Sequence, residues 1–151
     1  MGLMEKILDA GSVQVGIQGT DKNQVLRQLV DQMSNLGCVT DSEQLYQDVL
    51  DRENLSPTTL GDGCAVPHAH SAGITETRIA AISLQQPLDF GASDGIPVSL
   101  VFLMAGPPQN TGLHLKLLSK LVRLLHDKTL REALNRAQNP QEFVQILTQR
   151  D

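Results

Sequence analysis

Val13, Val15 and Ile17 alternate with Gln14 and Gly16, which predicts a half-buried strand over residues 12–17 with those three apolar side chains on one face. A short stretch of helical spacing, residues 3–8, precedes it. The period then lengthens. Val25, Leu29, Met33 and Leu36 form a helical stripe that Leu26 and Val30 widen; Thr20 or Asp21 can cap its start, and Gly37 stands where helices commonly end. Asp41 or Ser42 opens a second helix with Leu45, Tyr46, Val49 and Leu50 on one side. Arg52, seven residues after Leu45, falls near the border of that apolar face. The helix is expected to stop before Ser56-Pro57.

Next comes a run unlike either helix: Leu60-Gly61-Asp62-Gly63-Cys64-Ala65-Val66-Pro67-His68-Ala69-His70. Gly61 and Gly63 suit a turn that other residues avoid, and Cys64 to Val66 suit a buried strand. Pro67 fixes its own φ, biases Val66 towards an extended backbone and donates no hydrogen bond, so the strand should end stiffly with His68 at a rim. Residues 71–77 read as loop and residues 78–84 as a core strand. Residues 85–97 hold Pro87, Gly91, Gly95 and Pro97 and read as a long connection. Residues 98–104 are the most apolar strand of the chain, closed by Gly106-Pro107-Pro108. Residues 113–126 predict an amphipathic helix with His114, Leu117, Leu118, Leu121 and Leu125 on one face and Lys116, Lys120 and Arg123 on another. Two further helices are predicted near 128–137 and 140–148, the second opened by Pro140. The order strand, two helices, three strands, three helices predicts a layered α/β domain, one domain over residues 1–151.

Composition narrows the partners. The net charge is −5, which argues against nucleic acid or an anionic membrane surface. Aromatic residues make up 3% and tryptophan is absent, so no base-stacking or sugar-stacking platform is expected. No apolar run approaches a membrane span, and the N-terminus lacks the apolar core of a signal peptide. Cys38 and Cys64 lack CxxC spacing and read as reduced, buried thiols of a cytoplasmic protein.

Four histidines are the chemical candidates. His126 follows a helix end, where an imidazole complements the dipole. His114 lies in the first turn of the amphipathic helix, and on spacing alone it simply fills the end of the stripe. His68 follows the glycine turn and the proline. If His68, His114 and Arg52 meet, the set has no catalytic carboxylate and no Ser or Cys nucleophile. It suits phosphoryl transfer: an imidazole nitrogen attacks phosphorus, a guanidinium fork matches phosphate oxygens, and a second imidazole can bond an oxygen or set the first ring's tautomer. Two other readings stand beside it. His68-x-His70 on an extended chain puts both rings on one face, and His114 could complete a zinc-hydrolase site. Alternatively, the rim is a non-catalytic module that docks a partner.

The residues also resemble a known family, the fructose/mannitol-type enzyme IIA domains of the bacterial sugar phosphotransferase system, which include nitrogen-related regulatory members. Arg52-Glu53 is similar to the Arg-Glu that ends the family's second helix. Thr58-Thr59-Leu60-Gly61-Asp62-Gly63-Cys64-Ala65-Val66-Pro67-His68 resembles its Thr-Gly-Ile-Gly-x-Gly-Ile-Ala-Ile-Pro-His block, and Asp94-Gly95-Ile96-Pro97-Val98 and His114-Leu115 also fit. The resemblance implies a three-layer α/β/α sandwich with a small mixed sheet, the mannitol-type enzyme IIA fold. It implies that His68 carries a phosphoryl group, flanked by Arg52 and His114, with no metal and no small-molecule cofactor. The implied donor is the phosphocarrier HPr or its nitrogen-related relative. The implied acceptor is a cysteine on a sugar-specific enzyme IIB, or the phosphorylation state itself regulates a target. With no fused IIB or membrane-spanning IIC segment, the chain is expected to act as a separate cytoplasmic subunit or regulator. Four departures from the pattern are Ser56-Pro57 for Gly-Ser, Thr59 for glycine, Cys64 for isoleucine or valine, and His70 where a basic or small residue is common.

Overall fold

The computed structural model describes residues 2–150. A one-turn helix α1 (Met4–Ile7) leads into β1 (Leu8–Ile17). Two helices follow, α2 (Lys22–Ser34) and α3 (Ser42–Leu55), and then five strands: β2 (Thr59–Gly61), β3 (Cys64–Ala65), β4 (His68–His70), β5 (Arg78–Leu88) and β6 (Val98–Gly106). The chain closes with α4 (Thr111–Leu125), α5 (Lys128–Arg136) and α6 (Pro140–Thr148). Asp21 and Asp41 cap α2 and α3 by accepting from the backbone N–H groups of Gln24 and Gln44, and α3 ends at Leu55, before Ser56-Pro57.

The sheet runs β1-β5-β6-β3-β2, with β4 on β6 beyond β3. β1 is parallel to β5, β5 antiparallel to β6, and β3 and β4 both parallel to β6. The sheet is therefore mixed. Side chains of β5 and β6 alternate between two cores. Ile79, Ala81, Phe102 and Met104 join the core under α4, α5 and α6; Ala80, Ile82, Val101 and Leu103 join the core under α2 and α3. Helices thus cover both faces, giving the layered α/β domain the residue pattern predicts and the three-layer α/β/α sandwich the family resemblance implies. Strands buried on both faces read as unbroken apolar runs, which is how residues 98–104 read.

Three expectations change. First, Val13, Val15 and Ile17 do not share a face. The three-residue step from Gln14 to Ile17 faces the two-residue step from Ile82 to Leu84 on β5, and Gly16 takes φ +61°. This bulge reverses the alternation, so Val13 and Val15 reach one core and Ile17 the other. Second, the connection predicted over residues 85–97 begins later, because β5 continues to Leu88. Pro87 is tolerated there because the parallel partner has already ended at the Ile17–Leu84 pair, so no ladder bond is lost on that side. Third, the three central strands are five, because the stretch around Pro67 forms three short segments instead of one strand and a loop.

The bulge rests on a left-handed residue with open space around it: a Cβ at Gly16 would meet nothing within 4 Å. The cost of Gly16→Ala is then purely conformational, about 1 kcal/mol, and Gly16→Asn should cost less because asparagine tolerates this region better. Urea unfolding of the three proteins measures it. An unchanged midpoint for Gly16→Ala would mean that residue 16 is not left-handed in solution.

Candidate functional site

His68 owes its position to an interrupted ladder. Cys64 and Ala65 pair with Leu100 and Val101 of β6, and His68 pairs with Met104, so the chain keeps register across Val66-Pro67. Pro67 has no N–H to give to the ladder. On the other side Val66 donates to the Thr58 carbonyl at 3.0 Å, extending the pairing of β3 with β2, while the Pro67 carbonyl accepts from Met104 N of β6 at 3.0 Å. The Val66 carbonyl accepts from the His68 ring nitrogen Nδ1 at 2.8 Å. That bond places the ring proton on Nδ1 and leaves a lone pair on Nε2. Arg52 Nη2 donates to Nε2 at 3.4 Å and Arg52 Nη1 to the Ser56 carbonyl at 3.2 Å. The two hydrogen bonds agree on one tautomer of His68.

The extended backbone continues past Pro67 through β4, so His68 and His70 project to the same side, as their two-residue spacing predicts. Both line one cavity of about 580 Å³, together with Arg52 and His114. His114 meets them from the first turn of α4: its ring centroid lies 5.9 Å from that of His68 and 4.2 Å from that of His70. Arg52, His68 and His114 therefore do converge from three separated stretches of chain. His126 lies apart, exposed at the end of α4. The zinc reading needs His68, His70 and His114 in one coordination shell, and among the described residues no three such ligands are placed to hold a metal ion. Nor, among those residues, is any helix long and apolar enough to cross a membrane.

Burial sets the charge state of the rings. It pushes His68 below the ordinary imidazole range; the Val66 hydrogen bond opposes this and Arg52 reinforces it. His114 is 5% exposed, its Nδ1 has no hydrogen-bond partner, and burial, assisted by His70 and His68, pushes its pKa down to about 4. Both rings are neutral at physiological pH. Burial also raises the Cys64 thiol to about 12, which makes it an inert core residue.

Three supporting residues lie outside the set found by inspection. Glu53 is 5% exposed and its carboxylate accepts from Lys22 Nζ at 2.7 Å, Thr58 Oγ1 at 2.6 Å and Thr58 N at 3.2 Å. Its sequence signal was legible: Leu45, Val49 and Glu53 are four residues apart, so a carboxylate occupies a buried stripe position of α3. Thr58 is the other member of that contact. Asp94 steadies the glycine turn, where Gly61, Asp62 and Gly63 take φ of 82°, 56° and 82°. Its Oδ2 accepts from Asp62 N at 2.9 Å and its Oδ1 from Ile96 N at 3.0 Å, and those bonds hold its pKa below the usual carboxylate range. Nothing in residue spacing places Asp94 opposite residue 62.

Comparison with known proteins places these features in context. The family model of the phosphoenolpyruvate-dependent sugar phosphotransferase system, EIIA 2, matches residues 6–150. A nitrogen regulatory protein of Pseudomonas aeruginosa is 31% identical over 95% of this chain and 94% of its own length. The 2-O-alpha-mannosyl-D-glycerate-specific EIIABC component of Escherichia coli is 35% identical over 85% of this chain, which spans only 20% of that longer protein. The crystal structure of the nitrogen regulatory protein IIA-Ntr from Neisseria meningitidis superposes with a TM-score of 0.90 at 30% identity, covering 97% of this chain and 99% of that one.

The buried His114 couples the site to stability. Its folded pKa, about 4, lies below that of an unfolded histidine, near 6.5. Between those values the unfolded chain binds the extra proton, so stability falls as pH drops from about 6.5 towards 4, by on the order of 3 kcal/mol in all. Replacing His114 with leucine should flatten that part of the curve of unfolding free energy against pH. An equal slope in both proteins would mean that His114 titrates as if solvated.

Proposed function

The chain belongs to the EIIA 2 family of the phosphoenolpyruvate-dependent sugar phosphotransferase system, and on that footing we propose that it is a phosphohistidine carrier with His68 as the phosphoryl-bearing residue. The observation that carries the reading is the state of the His68 ring. Nδ1 is committed to the Val66 carbonyl, so the free lone pair is on Nε2, facing the cavity beside a guanidinium. A neutral imidazole with its nucleophilic nitrogen turned outward is what attack on phosphorus requires.

In the proposed step the Nε2 lone pair attacks phosphorus as the donor's bond to phosphorus breaks, and that bond's electron pair returns to the donor. No proton need leave the ring before attack, because Nε2 carries none. Arg52 exchanges its bond to Nε2 for bonds to the phosphoryl oxygens, where its charge opposes the negative charge of the transition state. His114 has a buried, unpartnered Nδ1, so the single proton of its neutral ring belongs on Nε2, where it can be donated to an oxygen. Delivery to an acceptor reverses the sequence. The donor is HPr or a nitrogen-related HPr. The acceptor is a cysteine of an enzyme IIB, or the phosphorylation state acts on a regulatory target. The near full-length likeness to the two nitrogen regulatory proteins supports the regulatory use of this chemistry.

A reconstituted relay, read by intact mass with each donor, tests the assignment. His68→Ala should gain no phosphoryl group while keeping its circular dichroism, since a half-buried rim residue contributes little to the core. An acid-labile phosphoryl group on His68→Ala would move the site to another residue. In rapid-quench loading, Arg52→Ala should be slower by roughly a hundredfold, or about 3 kcal/mol. Arg52→Lys should recover only part of this, because a point charge replaces a fork. Wild-type kinetics in both would make Arg52 structural.

The pH profile offers an independent check. The nucleophile is the neutral ring, and burial holds His68 below its ordinary value, so neutral His68 persists under acid conditions that would protonate a free imidazole. With one donor, the loading rate should stay level down to about pH 6.5 and fall only below it. A fall centred at or above that value would place the ring in solvent.

A further inference from the structure

We infer that Glu53 is a positioning residue for phosphoryl transfer, its carboxylate clamping the one segment, residues 56–58, to which both hydrogen-bond partners of the His68 ring are tied. The inference rests on the reading of His68 as the phosphoryl carrier. Each half of the ring's support leads to that segment. Arg52, the donor to Nε2, leans on the Ser56 carbonyl at 3.2 Å. Val66, the acceptor for Nδ1, is fixed by its own N–H on the Thr58 carbonyl at 3.0 Å. Thr58 is held at its N–H and its hydroxyl by Glu53, and Glu53 is held by Lys22 from the first residue of α2.

Glu53 neither lines the cavity nor touches His68. Its charge reaches the ring only across space, where it raises the His68 pKa, and its bonded influence runs through the loop, which Thr58→Val isolates because the carboxylate stays. A carboxylate suits the task because two oxygens accept three hydrogen bonds at once while its charge balances Lys22. A glutamine has one acceptor oxygen and no charge. With its oxygen towards Lys22 and the Thr58 N–H, its amide nitrogen would donate to the Thr58 hydroxyl, so the contacts persist as weaker neutral ones and the charge of Lys22 goes unbalanced. The segment then gains freedom at the two carbonyls that decide where the ring points and which nitrogen bears the proton. Pro57 lies between those carbonyls, so displacement of one is passed to the other along a stiff link.

Two measurements on Glu53→Gln, Thr58→Val and Thr58→Ser test this. The first is the ¹⁵N shifts of the His68 ring in unphosphorylated protein; the second is the single-turnover loading rate from one phosphorylated donor. Wild type should show a single tautomer with the proton on Nδ1. Glu53→Gln and Thr58→Val should show averaged ring shifts and load more slowly by on the order of tenfold, the usual scale for loss of an orienting partner. Thr58→Ser, which keeps the hydroxyl, should recover both readouts. Thr58→Val is close to isosteric and leaves the Glu53–Lys22 pair in place, so the question is answered even if Glu53→Gln does not fold. A wild-type tautomer in Thr58→Val overturns the inference whatever the change in rate or melting temperature. The ring shifts need no phosphate, so they judge the clamp separately from the carrier reading, which fails instead if wild-type His68 is never phosphorylated.

Discussion

The geometry of the site depends on the hydrogen bond from His68 Nδ1 to the Val66 carbonyl, which spans a proline of fixed φ. Residue 67 faces β6, where its carbonyl accepts from Met104 N, so the backbone groups of Val66 face the opposite side. Pro67 removes one donor, and the chain resumes pairing at the His68–Met104 position without losing register. On that opposite side the Val66 N–H binds the Thr58 carbonyl, extending the β2–β3 pairing, and the Val66 carbonyl binds the histidine ring. The side of the strand turned away from β6 thus supplies a mount for an imidazole. The strands on either side keep that mount rigid, because Ala65 and Ala69 are buried against the core beneath α2 and α3.

The two cores divide the remaining work. One, under α4, α5 and α6, seats the face of α4 that carries His114 as well as Leu117 and Leu121. The other, under α2 and α3, holds Leu45 and Val49, which set the rotation of α3 and with it the direction of Arg52. The site lies where both layers reach the end of β6. Its three side chains therefore arrive on rigid elements from both faces of the sheet, and the cavity between them is lined by Leu55, Leu115 and Leu118 and, from α3, by Asp48 and Asp51. Burial of the rings keeps the two imidazoles neutral, and neutrality is the condition for one of them to act as a nucleophile. The carboxylates with the clearest structural roles stay out of contact with His68. Glu53 and Asp94 bind backbone, on the Thr58 segment and on the glycine turn, and so shape the site without competing for a phosphoryl group.

Much of this protein is written in local pattern. Stripes at helical spacing, aspartate caps and a Pro-terminated α3 placed the helices, because each depends on contacts within a few residues. The run Gly61 to His68 marked the site for the same reason: turn, strand and proline are local conformational facts, and the position of Arg52 on α3 follows from helical geometry. Tertiary structure decided the rest. Whether β1 keeps one face depends on its register against β5, and the bulge at Gly16 turned Ile17 to the other core. Pro87 looked like a strand end, yet it lies within β5 because its would-be partner stops at Ile17. His114 fitted a helix stripe as well as a site residue would; only the seating of α4 against β6 brought its ring within 5.9 Å of His68. Neither the hold of Asp94 on residue 62 nor that of Lys22 on Glu53 is legible in neighbouring residues, since each bridges more than thirty positions. Interactions across such separations depend on how layers pack, and packing is a property of the whole core that no window of sequence contains.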